Sequence, residues 1–337
     1  MLRAEAIAPD GHPYFKPGEV LAREEIELHR ESGVCFPMGY YSGMEVWKRD
    51  GLVQVRGLNY QYAFSVTDGL PVSFCYEEQE LLQGQSGFEI FRAPIDNDRN
   101  VIHDWRDYGV DRVQTDLRRM EIFDERPERL TFHTEHVLAA PSMLPIAWVD
   151  SDWTIRKDGM IALSQKVRVR QESEKEIARH NGRTFFLPRF GVRLGLPDSF
   201  DRISYFGCGP DESYRDKHHA SYKSRFDARV RDMFENYLKP QENGAHMNTQ
   251  WLRVTNAAGM GLEIIGDDFS FNASPYTPHE IADSAHPYEL PESRTTWLIL
   301  DYAQSGCGSN SCGPQLLPQY RLSEKEFSFS LQIRPIQ

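Results

Sequence analysis

The segment Gln241-Glu242-Asn243 places amide and carboxylate side chains in a row directly after Pro240. Each of these groups can form hydrogen bonds to two hydroxyls at once, which is the chemistry that hexose recognition needs. Gln241, Glu242 and Asn243 are therefore possible sugar-facing residues. A structural role, in which the same groups satisfy neighbouring polar atoms, stays open beside this hypothesis.

A carboxylate and a histidine in one cleft could also perform acid–base chemistry. With Glu242 as the base, the acid could be His246, His286 or the His218-His219 pair. Opening a sugar hemiacetal requires a proton to be removed at O1 and another to be delivered to the ring oxygen. That is the chemistry of an aldose 1-epimerase. Because 11 histidines occur in the chain, a chance pairing with a glutamate is unremarkable, and this function is the lesser alternative.

The string Asp96-Asn97-Asp98 has the oxygen-rich side chains that hard cations bind. Aspartate and asparagine in such strings more often satisfy backbone N–H groups in a turn. We expect a turn in which Arg92 pairs with one of the carboxylates, and we predict no metal site and no catalytic residue in this chain.

The hydrophobic pattern indicates that β-strands position these groups. Alternating apolar residues predict a strand at 60–66, a hairpin at 153–163 and a further strand at 327–333. Turn residues recur at short intervals between such segments, which favours packed antiparallel sheets over alternating strands and helices. The predicted fold class is all-β, with large antiparallel sheets and few short helices.

Two short helices are predicted. Thr277-Pro278-His279-Glu280 combines an N-cap threonine, a proline at the first helical position and a glutamate three residues after the cap, so a helix should begin here and end before Pro287. Asp104 to Tyr108 should form another single turn. The charged stretch 172–176 is interpreted instead as an exposed turn.

Composition and charge exclude several classes of protein. The 337 residues include 38 Lys and Arg against 50 Asp and Glu, so the net charge of −12 argues against a nucleic-acid partner. No apolar run approaches the length of a membrane span, so no membrane association is expected. The 5 cysteines are few, odd in number and not in metal-ligand spacing, which favours free thiols in the cytoplasm.

The first 44 residues differ in character from the rest. Residues 1–19 are polar and rich in proline, Val20 to Leu28 could form one strand of a separate sheet, and Ser32 to Ser42 has the composition of a connector. We predict a boundary at this point: residues 1–44 would be the tail of a preceding domain with its connector, and residues 45–337 one large β domain.

Five local strings occur in an order that is familiar from one enzyme family. They are Phe91-Arg92-Ala93-Pro94-Ile95-Asp96-Asn97-Asp98, Tyr205-Phe206-Gly207-Cys208-Gly209-Pro210-Asp211-Glu212-Ser213-Tyr214, Pro240-Gln241-Glu242-Asn243-Gly244, Phe269-Ser270-Phe271-Asn272-Ala273 and Gly306-Cys307-Gly308-Ser309-Asn310-Ser311-Cys312-Gly313-Pro314. Residues 45–337 thereby resemble the C-terminal domain, or small-chain region, of the bacterial β-galactosidases of glycoside hydrolase family two. The resemblance implies a β-supersandwich of the galactose-mutarotase-like type. Residues 1–44 resemble the end of the immunoglobulin-like domain that precedes it.

The resemblance also implies what this chain contributes to such an enzyme. In the family, both catalytic glutamates lie on a TIM barrel, as do the ligands of the active-site Mg²⁺ and Na⁺. Because this chain has no βα repeats, it should bind neither ion and should be inactive alone. It is expected to pack on the catalytic barrel within a homo- or hetero-oligomer that hydrolyses galactosides such as lactose.

The resemblance places one loop near the substrate. In the family, the loop that matches 305–314 leans over the barrel mouth, so Ser309, Asn310 and Cys312 are implied as substrate-binding residues of the pocket rim. Cys312 cannot stack on a sugar and would provide only a small, polarizable wall. The alternative function is a galactoside-binding module that uses Gln241, Glu242 and Asn243.

Overall fold

The computed structural model describes residues 1–28 and 43–337, and arranges them in three β-sheets. A two-stranded antiparallel sheet at the N-terminus consists of β1 (Leu2–Ile7) and β2 (Val20–Ile26). The strand expected within Val20 to Leu28 is therefore present, and it lies in a sheet of its own. The predicted connector Ser32 to Ser42 lies outside the described residues, and the domain boundary stays a prediction.

A five-stranded antiparallel sheet follows, with its strands in sequence order. Its strands are β3 (Glu45–Arg49), β4 (Leu52–Arg56), β5 (Tyr60–Ser65), β6 (Pro71–Tyr76) and β7 (Gln79–Glu80). The strand predicted at 60–66 is β5, in which Tyr60, Tyr62 and Phe64 are buried as their spacing indicated. It ends at Ser65, one residue earlier than predicted, and Val66 is exposed.

The largest sheet has twelve strands, and neighbouring strands pair antiparallel. They are β8 (Gly87–Glu89), β9 (Gln114–Arg126), β10 (Arg129–Ala139), β11 (Ala147–Arg156), β12 (Ile161–Val169), β13 (Arg189–Pro197), β14 (Arg202–Gly209), β15 (Tyr222–Arg229), β16 (Ala245–Thr255), β17 (Gly261–Ser274), β18 (Thr295–Gln304) and β19 (Glu326–Ile336). The main path runs β15-β14-β16-β17-β19-β12-β11-β10-β9, and a branch of β18, β13 and β8 leaves from β17. The predicted hairpin is β11–β12, with Trp153 opposite Leu163, and the predicted strand at 327–333 lies in β19.

Three short α-helices occur in the described part of the chain: α1 (Val101–Asp107), α2 (Glu174–Arg179) and α3 (Pro278–Asp283). The capping box of Thr277 begins α3 as predicted, and the helix ends before Pro287. Helix α1 begins three residues earlier than the predicted turn at Asp104. The exposed turn expected at 172–176 is wrong, because Ser173 forms a second capping box with Glu176 and begins α2.

Aromatic side chains join the five-stranded sheet to the large sheet. The fully buried ring of Phe64 packs edge-on against Phe132 and Trp153, with ring centroids 4.9 and 5.4 Å apart. Burying each such ring contributes about 2 kcal/mol relative to leaving it in water. The hydroxyl of Tyr62 reaches across to donate to the Gly159 carbonyl at 2.6 Å. The all-β class of large antiparallel sheets is thus confirmed, and the core lies between the sheets.

Candidate functional site

The 305–314 loop leaves the end of β18 from a base that is buried and hydrogen-bonded. Ser305 donates its backbone N–H to the Pro188 carbonyl at 2.8 Å, and its hydroxyl donates to the Leu187 carbonyl at 2.6 Å. The same hydroxyl accepts the N–H of Leu322 at 2.9 Å. These bonds connect the start of the loop to the two residues that precede β13 and to the chain that leads into β19.

Arg92, which is fully buried, holds the loop base from one side. Its guanidinium pairs with Asp98 at 2.8 Å, as the sequence predicted, and donates to the carbonyls of Ser305 and Gly306. It also lies 3.2 Å from the sulfur of Cys307. Burial raises the pKa of the Cys307 thiol, so this sulfur stays protonated at neutral pH.

Two further side chains contact the loop base, and sequence reasoning assigned neither of them to it. The Asn97 amide donates to the Cys307 carbonyl at 2.7 Å. The Asp216 carboxylate accepts the backbone N–H groups of Cys307 and Gly308, both at 2.7 Å. Asp216 lies 91 residues before Cys307, so little in the sequence indicates that the two are in contact. The one pointer to Asp216 is its position two residues after the family-like motif 205–214.

The tip of the loop differs from its base because it is more accessible. Cys312 is exposed, while Ser309 and Asn310 are half-buried. Asn310 has a φ of +88°, a left-handed conformation that asparagine adopts more readily than most residues, and its carbonyl accepts the Asn100 amide at 3.0 Å. The structure therefore brings Ser309, Asn310 and Cys312 to one surface loop, although their contact with substrate stays a prediction.

A cavity of about 330 Å³ lies beneath this tip. Asn310 and Gly313 line it from the loop, Gln315 lines it from the residue after the loop, and Asn100 lines it from the start of α1. Its remaining lining residues are Val101, His103, Asp104, Arg183, Thr184, Phe186, Leu316 and Arg321. Polar side chains with an aromatic ring thus surround a space beside the predicted rim.

The side chains of the segment 241–243 bond mainly to groups of the protein interior. The half-buried Gln241 accepts the backbone N–H of Asp96 through its side-chain oxygen at 3.1 Å. Asn243 is buried and accepts the N–H of Glu235 at 3.0 Å. Glu242 is also buried, and its carboxylate accepts the Asn272 amide at 3.0 Å. These contacts fit the structural alternative, and the sugar-facing role stays a prediction.

Glu242 belongs to a buried ionic network. Arg189 on β13 contacts Glu242 at 3.4 Å and forms a two-point ion pair with Asp301 on β18. Gln304 donates to Asp301 at 3.0 Å and to the oxygen of Asn272 at 2.8 Å. Burial raises the pKa of Glu242 to about 7, although Arg189 and Arg92 oppose the shift. The network connects β13, β17 and β18 directly behind the loop base.

The histidines considered as acids do not contact Glu242 in the described structure. His246 bonds through Nδ1 with the Tyr205 hydroxyl at 2.9 Å, and burial lowers its pKa to about 4. His286 lies beside Glu289 at 3.1 Å, and His218 bonds with the Tyr214 carbonyl at 3.1 Å. A buried histidine that is neutral at pH 7 is a poor proton donor, so this geometry offers little support for an epimerase.

Within residues 1–28 and 43–337, no group of three or more His, Cys, Asp or Glu side chains is placed to hold a metal ion. Asp98 is bound to Arg92, and Asn97 is bound to the loop base, so the string 96–98 uses its oxygens and amides internally. None of the helices in the same ranges is both long and apolar enough to cross a membrane.

These large packed antiparallel sheets, with a surface loop whose base is held by buried hydrogen bonds, define an all-β protein of the supersandwich class. The family model for the β-galactosidase small chain matches residues 56–333. The chain therefore belongs to the β-galactosidase small-chain family.

Individual relatives agree with the family. The chain is 32% identical to a β-galactosidase of Actinobacillus pleuropneumoniae over 93% of its own length and 30% of the relative's. It is 30% identical to a β-galactosidase of Staphylococcus xylosus over 86% of its length and 28% of the relative's. The chain thus spans about a third of the curated relatives it matches. Among solved structures, galactose 1-epimerase from Lactobacillus acidophilus is similar, with a TM-score of 0.39 and 6% identity over 88% of this chain and 98% of that one.

Proposed function

We propose that this chain is the non-catalytic C-terminal part, or the small subunit, of a β-galactosidase that hydrolyses terminal β-D-galactosides such as lactose. The observation that carries the proposal is the family match over residues 56–333, together with relatives in which this region makes up only about 30% of the protein. A retaining glycosidase needs two carboxyl groups about 5 Å apart at its active site. In the family that pair lies on a catalytic barrel, which would be the partner of this chain.

The 305–314 loop would form part of the active-site rim. Its base is fixed by buried contacts, whereas its tip offers Ser309, Asn310 and Cys312 to the surroundings. A rigid base with an accessible tip suits a loop that must meet a substrate held by another domain. Cys312 would add a small wall rather than an aromatic platform.

The remaining features of the complete enzyme follow from the same proposal. The Mg²⁺ and Na⁺ of the family would be held by the barrel portion and not by this chain. The assembled enzyme would be a homo- or hetero-oligomer in the cytoplasm, a location favoured by the small number of cysteines, of which the four in the described residues are unbridged.

Reconstitution tests the proposal. The purified chain alone should not hydrolyse a chromogenic β-galactoside above background, and mixing it with the remaining portion of the enzyme should restore turnover. In that assembly, Cys312→Trp should change the KM for galactosides, because an indole at the rim either stacks on the sugar or obstructs it. Turnover by the isolated chain would overturn the non-catalytic assignment. Saturable galactoside binding by the isolated chain, with no effect on the barrel portion, would favour the binding-module alternative.

A further inference from the structure

Three segments that are far apart in sequence meet at the base of the 305–314 loop. Arg92 and Asn97 approach from the segment before α1, and Asp216 approaches from the turn after β14. The two former side chains donate to the carbonyls of residues 305, 306 and 307. Asp216 accepts the N–H groups of residues 307 and 308. Side chains therefore bind both the donors and the acceptors of this short backbone stretch.

We propose that Asp216 is a positioning residue, whose carboxylate fixes the backbone at Cys307 and Gly308 and so sets where the loop tip meets the substrate. This inference rests on the proposed function, because the loop matters to substrate only if it forms the rim. A carboxylate that accepts two backbone N–H groups makes charge-assisted hydrogen bonds, which are stronger than neutral ones. Backbone carbonyls accept the N–H groups of residues 305 and 306, and Asp216 accepts those of residues 307 and 308, next to the residues that lead to Cys312.

The glycines of the loop allow this close approach. A Cβ atom placed on Gly306 would lie 2.4 Å from the Asp216 carboxyl carbon, closer than real Cβ contacts allow. One placed on Gly308 would lie 3.2 Å from Oδ2 of the same residue. The carboxylate thus occupies space that any larger residue at position 306 would fill. Gly306 has no side chain, and this leaves room for the Asp216 carboxylate beside the loop backbone.

Asp216 is itself held by a rigid turn. Tyr214 and Lys217 exchange both backbone hydrogen bonds, at 2.8 and 3.0 Å. The ring of Tyr214 is buried and packs with Ala245 and Cys307. The backbone on both sides of Asp216 is thus held by hydrogen bonds of its own, and this support of the carboxylate is what a positioning residue requires.

Hydrogen exchange in the complete 337-residue chain tests the contact without reference to activity. In Asp216→Ala, the amides of Cys307 and Gly308 should exchange at least about tenfold faster, because both lose their acceptor. Asp216→Asn keeps one acceptor oxygen and should show a smaller increase. Asp211→Asn, the same change at an exposed position in the connection between β14 and β15, is the matched control and should leave both amides unchanged.

Alkylation of the cysteine thiols tests independently whether the loop base opens when Asp216 is replaced. Cys312 is exposed and should be alkylated quickly in every variant, whereas Cys307 is buried against Arg92 and should react slowly in the unaltered chain. Asp216→Ala should raise the rate at Cys307 relative to Cys312, as read by peptide mass spectrometry. A uniform rise at Cys75, Cys208 and Cys307 would instead report general loss of folding, and would contradict a local role.

Kinetics of the assembled enzyme separate positioning from simple stability. Asp216→Ala should raise the KM for galactosides about tenfold at saturating chain concentration, with a smaller change in kcat, and Asp216→Asn should restore most of the loss. If amide exchange at Cys307 and Gly308 is unchanged in Asp216→Ala, Asp216 does not hold these two N–H groups, and the inference is wrong whatever the kinetics show. If exchange rises while KM stays constant, the positioning role is wrong. A KM that responds to Cys312→Trp but not to Asp216→Ala overturns this inference alone, whereas an assembly without activity overturns the proposed function.

Discussion

Two guanidinium groups and three carboxylates meet in the interior around Glu242. The positive groups are Arg92 and Arg189, and the negative ones are Asp98, Asp301 and Glu242. The neighbouring Glu89 is paired with Arg193 and adds no net charge. If every group were ionised, one negative charge would lack a partner in a region without solvent, where such a charge is costly. A proton on Glu242 makes the set neutral. The count of charges thus agrees with a Glu242 pKa raised to about 7 by burial.

This raised pKa predicts how the stability of the domain changes with pH. In the unfolded chain Glu242 loses its proton near its usual pKa of 4.5, whereas the folded protein keeps the proton until about pH 7. Between these values the folded state binds more protons, so the contribution of Glu242 to the free energy of unfolding falls as the pH rises. From pH 5 to pH 8 the decrease should be on the order of 2 kcal/mol, and it should level off above pH 7.

Glu242→Gln isolates this effect, because glutamine cannot ionise but keeps a similar shape. Urea unfolding of the isolated chain at pH 5 and pH 8 should show the variant gaining stability relative to the unaltered chain as the pH rises. Other titrating groups, including His246 with its lowered pKa, cancel in the comparison. Glu174→Gln at an exposed position is the control and should show no such trend. A stability difference that is the same at both pH values would mean that Glu242 is ionised in the folded protein.

The sequence predicted residue contacts where the partners are close along the chain. Arg92 and Asp98 are six residues apart in one turn-forming string, and their ion pair was predicted and is present. Asp216 and Cys307 are separated by 91 residues, and no periodicity or turn chemistry relates them. The inward direction of Glu242 was left open for the same reason, since its partners Arg189 and Asn272 come from distant strands.

At the scale of elements, the sequence correctly predicted strands and helix starts that depend on neighbouring residues alone. Apolar and polar residues alternate within 60–66 and 153–163, and strands form in both segments with one face buried in the core. The capping box at Thr277 correctly predicted α3. The same box at Ser173 was present in the sequence, but the charged residues around it suggested a turn. A helix of only six residues buries little apolar surface, so it lacks the periodic pattern that identifies longer helices.

The capping box of α3 provides a prediction at this scale. The Thr277 hydroxyl accepts the Glu280 N–H at 3.2 Å, while the Glu280 carboxylate accepts the Thr277 N–H at 2.7 Å. Thr277→Ala removes the first bond and should lower the free energy of unfolding by about 1 kcal/mol in urea titrations. Thr277→Ser keeps a hydroxyl at the cap and should cost only a few tenths of that amount. Equal losses in both variants would show that the threonine methyl group, and not the cap, stabilises this helix.

At the scale of the whole molecule, the sheet class was predictable but the strand order was not. Alternating patterns show that a strand has one buried face, yet they carry no information about which strand lies beside it. Strand β12 pairs with β19, more than 150 residues later, and β13 branches away to pair with β8 and β18. Such order is decided by how complete faces fit together in the core, which includes the Phe64, Phe132 and Trp153 cluster.

The N-terminal sheet contacts the large sheet at Tyr222 and Lys223 of β15. The guanidinium groups of Arg3 and Arg23 both lie over the ring of Tyr222 on β15, at 4.1 and 4.3 Å from its centroid. Glu25 accepts the Lys223 N–H at 2.6 Å. Tyr222 is half-buried, and a cation–π contact contributes about 0.5 to 2 kcal/mol depending on how far it is desolvated, so we expect the N-terminal sheet to detach before the remainder unfolds.

Tyr222→Ala tests this independence, because it removes the ring that both arginines contact. Limited proteolysis between β1 and β2 should become roughly tenfold faster, while the thermal midpoint of the remaining domain should change by less than about 2 °C. Tyr222→Phe keeps the aromatic face and should be cleaved at nearly the original rate. If cleavage is unchanged in Tyr222→Ala, other contacts hold the sheet. If the midpoint falls steeply with it, residues 1–28 are part of the cooperative core, and the predicted boundary near residue 44 is wrong.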